Sequence, residues 1–250
     1  EEETDRYLSL LKEIKDIMYP AKCAVCDSLL ERQERYLCKK CHKKLPLIDG
    51  VLSNRCAKCS KEIDMGKSLC LDCQKNKHVF EQAHGVFKYN DVTGKIIAQL
   101  KYFGKTGYVE GIACDMAANT HIIMKKWQPQ IIIPVPLHIS KLRTRGFNQA
   151  GVIADEFAKL YDIACADRIL VRTHKTLPQK YFDNVERKRN LQSAFAVNVK
   201  ELKKYPGVTR VLLVDDIYTT GSTMDACAQA LKMAGIKEVY CLCMCIGNGM

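Results

Sequence analysis

Eight of the fourteen cysteines in this 250-residue chain fall into four C-x-x-C pairs: Cys23/Cys26, Cys38/Cys41, Cys56/Cys59 and Cys70/Cys73. The first and third pairs read C-A-V-C and C-A-K-C. The second and fourth each follow a leucine, in L-C-K-K-C and L-C-L-D-C. The segment is therefore an internal repeat, C-x2-C-x11-C-x2-C followed by C-x2-C-x10-C-x2-C. Two such knuckles supply four thiolates, the set that closes a tetrahedron around Zn²⁺ at about 2.3 Å. A stretch this short and polar has little apolar material for a core, so bound metal supplies much of its folding energy. With every position filled by Cys no place is open for water, and both sites read as structural. The repeat favours two sequential sites, although the spacing also admits an interleaved pairing.

The other six cysteines, Cys114, Cys165, Cys227, Cys241, Cys243 and Cys245, stand in apolar surroundings typical of reduced core thiols. That usage fits a reducing compartment better than a disulfide scaffold. Hydrophobic content of 47% with 27% charged residues describes a globular chain. Apolar runs such as 131–137 are far too short to span a membrane, and the opening EEETDRYLSL lacks the form of a secretory signal. A cytoplasmic protein with no membrane insertion is expected. Leu8, Leu11, Ile14 and Met18 are spaced for a short amphipathic helix over 4–19, stopped by Pro20.

Beyond about residue 82 the pattern changes to strands alternating with helices. Strands are expected at 83–89, 130–135, 210–214 and 238–245, with an extended segment at 164–173. Helices are expected at 92–103, 109–126, 147–161 and 223–234. The chain thus divides into a metal-binding region, 1–80, and an α/β domain, 81–250, built as a parallel sheet with helices on both faces. Such sheets bind ligands beyond the carboxyl ends of their strands, which points to the loops 134–146, 174–190 and 215–223.

The last of these loops belongs to V-L-L-V-D-D-I-Y-T-T-G-S-T, residues 211–223. Four apolar residues lead into Asp215 and Asp216, and two unpaired acids are costly as core filler. Thr219, Thr220, Gly221, Ser222 and Thr223 then offer hydroxyls and free amides ahead of a helix, a setting that favours phosphate. A carboxylate pair beside a phosphate suits the vicinal hydroxyls of a ribose. These thirteen residues resemble the signature of the type I phosphoribosyltransferases. The resemblance implies a 5-phosphoribosyl-1-pyrophosphate site, with Asp215 and Asp216 at the ribose hydroxyls and 219–223 at the 5-phosphate.

The segment I-I-I-P-V-P-L-H followed by K-L-R-T-R-G-F-N-Q-A, within residues 131–150, looks like the pyrophosphate loop of that fold. By that resemblance Lys141, Arg143 and Arg145 would neutralise pyrophosphate, with Mg²⁺ sharing the charge. The polar, basic stretch 173–190 takes the place of the fold's closing lid. The cysteine knuckles, P-V-P-L-H, R-G-F-N-Q-A, K-T-x-P-Q, R-x-x-N-x-x-x-A-F and V-D-D-I-Y-T-T-G-S-T form one ordered set, and that set resembles the ComF family of bacterial DNA uptake. Membership implies a cytoplasmic role in natural transformation, beside a competence helicase and the recombination mediator of the incoming strand. Thr219 stands where purine-salvage members of the fold usually carry an acid, which disfavours a hypoxanthine or guanine acceptor.

Charge leaves other functions in play. Between residues 138 and 204, 14 Lys/Arg face 7 Asp/Glu, so +7 of the +11 total gathers there. A local basic excess suits a polyanion, either a phosphorylated small molecule or nucleic acid. One reading is a transferase; another is a non-catalytic module for single-stranded DNA. In the latter, Lys141, Arg143, Arg187, Lys188 and Arg189 would meet phosphates, with Tyr102, Phe103, Phe147, Tyr181 and Phe182 as stacking candidates. A zinc-mediated adaptor and a phosphoribosyltransferase of nucleotide metabolism unrelated to competence complete the alternatives.

Overall fold

A computed structural model of the chain describes residues 20–48, 54–103, 106–173 and 194–247. The helix expected over 4–19 lies outside these residues, as does all but Thr173 of the lid expected over 173–190. Two short helices, α1 (Lys39–His42) and α2 (Leu71–Lys75), each carry one cysteine knuckle. The α/β part then runs β1 (Gln82–Lys88), α3 (Asp91–Phe103), α4 (Val109–Trp127), β2 (Ile131–Pro134), α5 (Ile139–Arg145) and α6 (Gln149–Tyr161). It continues through β3 (Ala164–Cys165), β4 (Leu170–Arg172), β5 (Phe195–Val197), α7 (Val199–Leu202), β6 (Arg210–Tyr218), α8 (Ser222–Met233) and β7 (Glu238–Ile246).

Five strands form one sheet in the order β1-β7-β6-β2-β3, and every pairing is parallel. The central strands read as continuous apolar runs because both faces are covered. Strand periodicity sorts the side chains: Leu212, Val214, Leu242 and Met244 pack with Ile112, Met116, Ile153 and Phe157 of α4 and α6. Val211, Leu213, Cys241 and Cys243 face the other way, onto Cys227, Ala228 and Leu231 of α8. The cysteine knuckles divide between these two cores. Cys23, Cys41, Tyr36 and Leu37 join the α4/α6 side, while Cys56, Cys59, Cys70, Cys73 and Phe80 join the α8 side.

Three expectations need correcting. Strand β6 runs on to Tyr218 rather than ending at Val214, because β7 pairs alongside it through Asp215↔Cys243 and Ile217↔Cys245. The expected loop 134–146 contains α5. Its start is capped by the His138 side chain, which accepts from the Ser140 amide, and its end is the left-handed Gly146. The extended segment 164–173 splits in two. β3 joins the main sheet, whereas β4 turns away to pair antiparallel with β5.

Candidate functional site

Strand β6 delivers Asp215 and Asp216 to the carboxyl edge of the sheet, just ahead of the turn that begins at Thr219. The two acids differ. Burial, and then the neighbouring Asp216 charge, push the Asp215 carboxyl well above the usual range, while the Asp216 amide donates to its Oδ1 at 2.8 Å. Asp216 is instead paired with Lys101 of α3, Nζ to Oδ2 2.5 Å, and the Asp216 and Lys101 side chains keep 15% and 21% exposure. A carboxylate pair at the rim, one member already holding a cation, has the hard oxygen donors that suit a divalent ion.

The turn beyond β6 leaves Thr219 and Thr220 exposed and Ser222 and Thr223 half-buried. Gly221 adopts φ +79°, and the Thr220 and Ser222 hydroxyls lie 2.9 Å apart. α8 starts at Ser222, so its first amides point out of this turn, as an anion site requires.

The basic side of the site comes from three other segments. The Lys141 ammonium of α5 is pushed below the lysine range by partial desolvation, then by Arg145, Arg172 and Lys101; Asp216 opposes the shift. Arg145 donates to Gln149 Oε1 at 3.0 Å, and Gln149 is 2% exposed with its Nε2 buried and without a protein partner. Arg172, at the end of β4, is pushed down by burial and held up by Cys227 and Asp215. Arg143 is exposed on α5, and among the described residues no interaction links it to the acids. Of the three basic residues expected here, the structure therefore gathers Lys141 and Arg145 and leaves Arg143 aside. Lys101, Arg172 and Gln149 join the site without having been expected. Gln149 was within reach of sequence reading, since it belongs to R-G-F-N-Q-A; a lysine on α3 and an arginine on a three-residue strand carry no such mark.

The eight knuckle cysteines gather into two sequential groups, Cys23/Cys26/Cys38/Cys41 and Cys56/Cys59/Cys70/Cys73, with the sulfurs of each group within 4.8 Å of one another. Within each group the thiols are shifted unequally: burial or hydrogen bonds among the sulfurs push Cys41, Cys59 and Cys73 up, while one thiol of each group is biased toward thiolate, the form that binds metal. Cys26 is lowered to about 6, first by its hydrogen bond with Ser28, and Cys56 to about 4, first by one with Cys59. Two four-cysteine zinc sites fit these donors, and their role is to close the two knuckle pairs. Arg187–Arg189 and the side chains of Tyr102, Phe103, Tyr181 and Phe182 lie outside the described residues; Phe147 is half-buried ahead of α6. Among the described residues no helix is long and apolar enough to cross a membrane.

Residues 14–74 match the family model of the double zinc ribbon domain, and residues 136–249 match that of the phosphoribosyl transferase domain. Over 224 residues the chain is 26% identical to Competence protein F of Haemophilus influenzae, covering 87% of this chain and 93% of that protein. It is 23% identical to Competence protein ComFC of Bacillus subtilis, over 85% and 89% of the two chains. It is also 24% identical to the DNA utilization protein YhgH of Escherichia coli K12, over 90% and 97%.

Proposed function

From its place in the ComF family, where a double zinc ribbon precedes a phosphoribosyl transferase domain, we propose that this chain binds 5-phosphoribosyl-1-pyrophosphate with Mg²⁺ during DNA uptake, on the cytoplasmic side. What supports this is the convergence of separate segments on one edge of the sheet. The acids of β6, the turn before α8, Lys141 and Arg145 of the 139–149 segment, Arg172 of β4 and Lys101 of α3 all meet there.

Each part of the donor finds chemistry suited to it. The 5-phosphate would take the amides and hydroxyls of Thr219, Thr220, Gly221, Ser222 and Thr223. The ribose diol would donate to Asp215 and Asp216, displacing Lys101 from Asp216 on arrival. The pyrophosphate would lie against Lys141, Arg145 and Arg172, which stabilise the charge that develops as it leaves. Asp215 and Asp216 would be the residues to hold Mg²⁺, which would supply positive charge to neutralise part of the pyrophosphate. In a transfer, a nucleophile forms its bond to C1 as the C1–oxygen bond to pyrophosphate breaks. The acceptor is left open, and a competence helicase and a recombination mediator are the proposed protein partners.

Titration calorimetry with 5-phosphoribosyl-1-pyrophosphate and Mg²⁺ tests the donor site: saturable binding lost in Asp215→Asn/Asp216→Asn is expected, and equal affinity in the variant would refute it. The basic excess over 138–204 favours a second ligand, single-stranded DNA, on the same face. There the log–log salt slope should fall by about 0.7 for each cation removed. A wild-type protein with no affinity for single strands at low salt would remove that part and leave the donor site.

A further inference from the structure

The two zinc ribbons are not equivalent in what they touch. Contacts of the first run to α4: Tyr36 donates to Asp115 Oδ2 at 2.6 Å, and His42 Nε2 lies 3.1 Å from the same oxygen. Contacts of the second run to β1, where the Ala83 amide donates to the Lys58 carbonyl at 2.8 Å and the Gly85 amide to the Ser60 hydroxyl at 3.0 Å, and to Tyr218 at the end of β6. From its first knuckle, Lys58 donates to the Phe80 carbonyl, and nearby Lys61 places its ammonium 5.9 Å from the Tyr218 ring centre. Lys61 is also paired at 2.6 Å with Asp72, which lies between Cys70 and Cys73 of the second knuckle. Burial and then the Cys59 and Cys73 sulfurs push the Tyr218 hydroxyl up, so cluster and ring are near neighbours.

The chain leaving this ribbon then reaches the turn itself. The Asp225 carboxylate, in the first turn of α8, grips two consecutive residues: His78 through Nδ1 at 2.7 Å and the Val79 amide at 2.7 Å. The His78 ring stacks on Phe80 with centroids 4.8 Å apart, and Phe80 meets Tyr218 edge-on at 6.3 Å. The His78 side chain is 1% exposed, yet its Nε2 is buried without a protein partner. Its Cε1 lies 2.9 Å from where a Cβ on Gly221 would stand, and the Tyr218 hydroxyl lies 2.5 Å from that point. The wall behind Gly221 is thus a ring from the ribbon linker and a tyrosine that the ribbon overlies.

We propose that His78 is a positioning residue of the 219–223 turn, and that through it the second zinc ribbon sets phosphate affinity at the start of α8, resting on the donor-binding function proposed above. Asp225 fixes the imidazole, the imidazole and Tyr218 close one side of Gly221, and the amides on the other side are held ready for an anion. Preorganised donors bind more tightly than donors that must first be ordered. The first ribbon, docked on α4, has no part in this.

The test uses the zinc-loaded full chain, ribose 5-phosphate as probe, and the amide resonances of Thr220, Gly221 and Ser222 in the free protein as a readout that needs no ligand. His78→Phe keeps the stacking on Phe80 but cannot bond Asp225. It should weaken ribose 5-phosphate about tenfold, the scale of one hydrogen bond to a charged group, and shift the three amides. His78→Asn keeps a donor for Asp225 and should restore most of both. Cys73→Ser should reproduce the His78→Phe amide shifts; Gly111→Ala, which loosens the first ribbon from α4, should not. Unmoved turn amides in His78→Phe, or equal shifts from Gly111→Ala, would overturn the proposal. Wild-type protein that fails to bind ribose 5-phosphate would refute the donor site and with it the effect on phosphate affinity, whereas the amide shifts, read without ligand, decide separately whether His78 positions the turn.

Discussion

Adjacent carboxylates need not share a fate, and Asp215 and Asp216 show why. Asp216 has Lys101 as a counter-charge, whereas Asp215 is half-buried and desolvated beside another acid, and its carboxyl is raised well above the ordinary range. A raised acid holds its proton more tightly in the folded than in the unfolded chain. Ionising it therefore costs stability once pH climbs past the unfolded value, and the cost is complete above the folded one. At neutral pH Asp215→Asn removes that cost. Thermal denaturation should show a higher Tm, by about 2–4 °C for each kcal/mol relieved, while donor binding is lost. A lower Tm would mean that the Asp215 charge is better compensated than its surroundings indicate. Gln149 makes a separate case. Gln149→Leu takes away the acceptor that holds Arg145. Affinity for 5-phosphoribosyl-1-pyrophosphate should drop by about three- to tenfold, the scale of one hydrogen bond, with ribose 5-phosphate unaffected because it has no pyrophosphate. An equal loss for both ligands would place Arg145 elsewhere.

Among the elements, α4 does two jobs. Its inner face fills the core with Ile112 and Met116, and its outer face receives the first ribbon. Gly111 makes the second contact possible: a Cβ there would stand 2.5 Å from Tyr36 Cδ1 and 2.8 Å from Arg35 Cβ. Contacts that short cannot be absorbed by a small adjustment, since the ring is buried and its hydroxyl is bonded to Asp115. Gly111→Ala should loosen the ribbon while leaving the sheet intact. Hydrogen exchange should then show faster amide exchange over 21–45, with exchange over 210–218 and 238–246 unchanged. Uniform acceleration across both regions would mean that ribbon and sheet unfold as one unit.

At the scale of the whole molecule, the parallel sheet is covered by helices on both faces, and each of its cores extends into one cysteine cluster. His84, on β1, is caught in this packing. Burial, and then Arg55, lower it to about 4. Because its folded value lies below the unfolded one near 6.5, its contribution is present above about pH 6.5 and is lost as pH falls toward 4. The loss is on the order of 3 kcal/mol at most, at about 1.4 kcal/mol per unit. Asp215 works in the opposite sense, since its penalty eases as pH falls. His84→Gln should therefore be the less stable protein at about pH 7.5, with the Tm gap to wild type closing as pH is lowered to about 5. A gap that stays constant would mean that His84 is not buried as a neutral ring. Metal release in acid affects both proteins and cancels in the comparison.

Features written in local spacing were legible from the chain alone. The knuckle repeat named all eight metal ligands, the apolar runs named the sheet strands, and 211–223 placed two acids beside a phosphate-type turn. In each case neighbouring residues act together, so spacing carries the information. Spacing could not choose between sequential and interleaved metal groups, because that depends on which knuckles the fold brings within reach; the sulfurs chose the sequential arrangement. Nor could it end β6 correctly, because the extra residues are held by hydrogen bonds to β7, a strand that lies beyond the whole of α8 in the chain. Lys101 meets Asp216 across 115 positions, and His78 meets Asp225 across 147. Pairs so far apart leave no period or motif in the sequence, and only the closed sheet brings them together. The acids and the turn of the candidate site were local matters, whereas the counter-charges and the wall behind the turn belong to the tertiary structure.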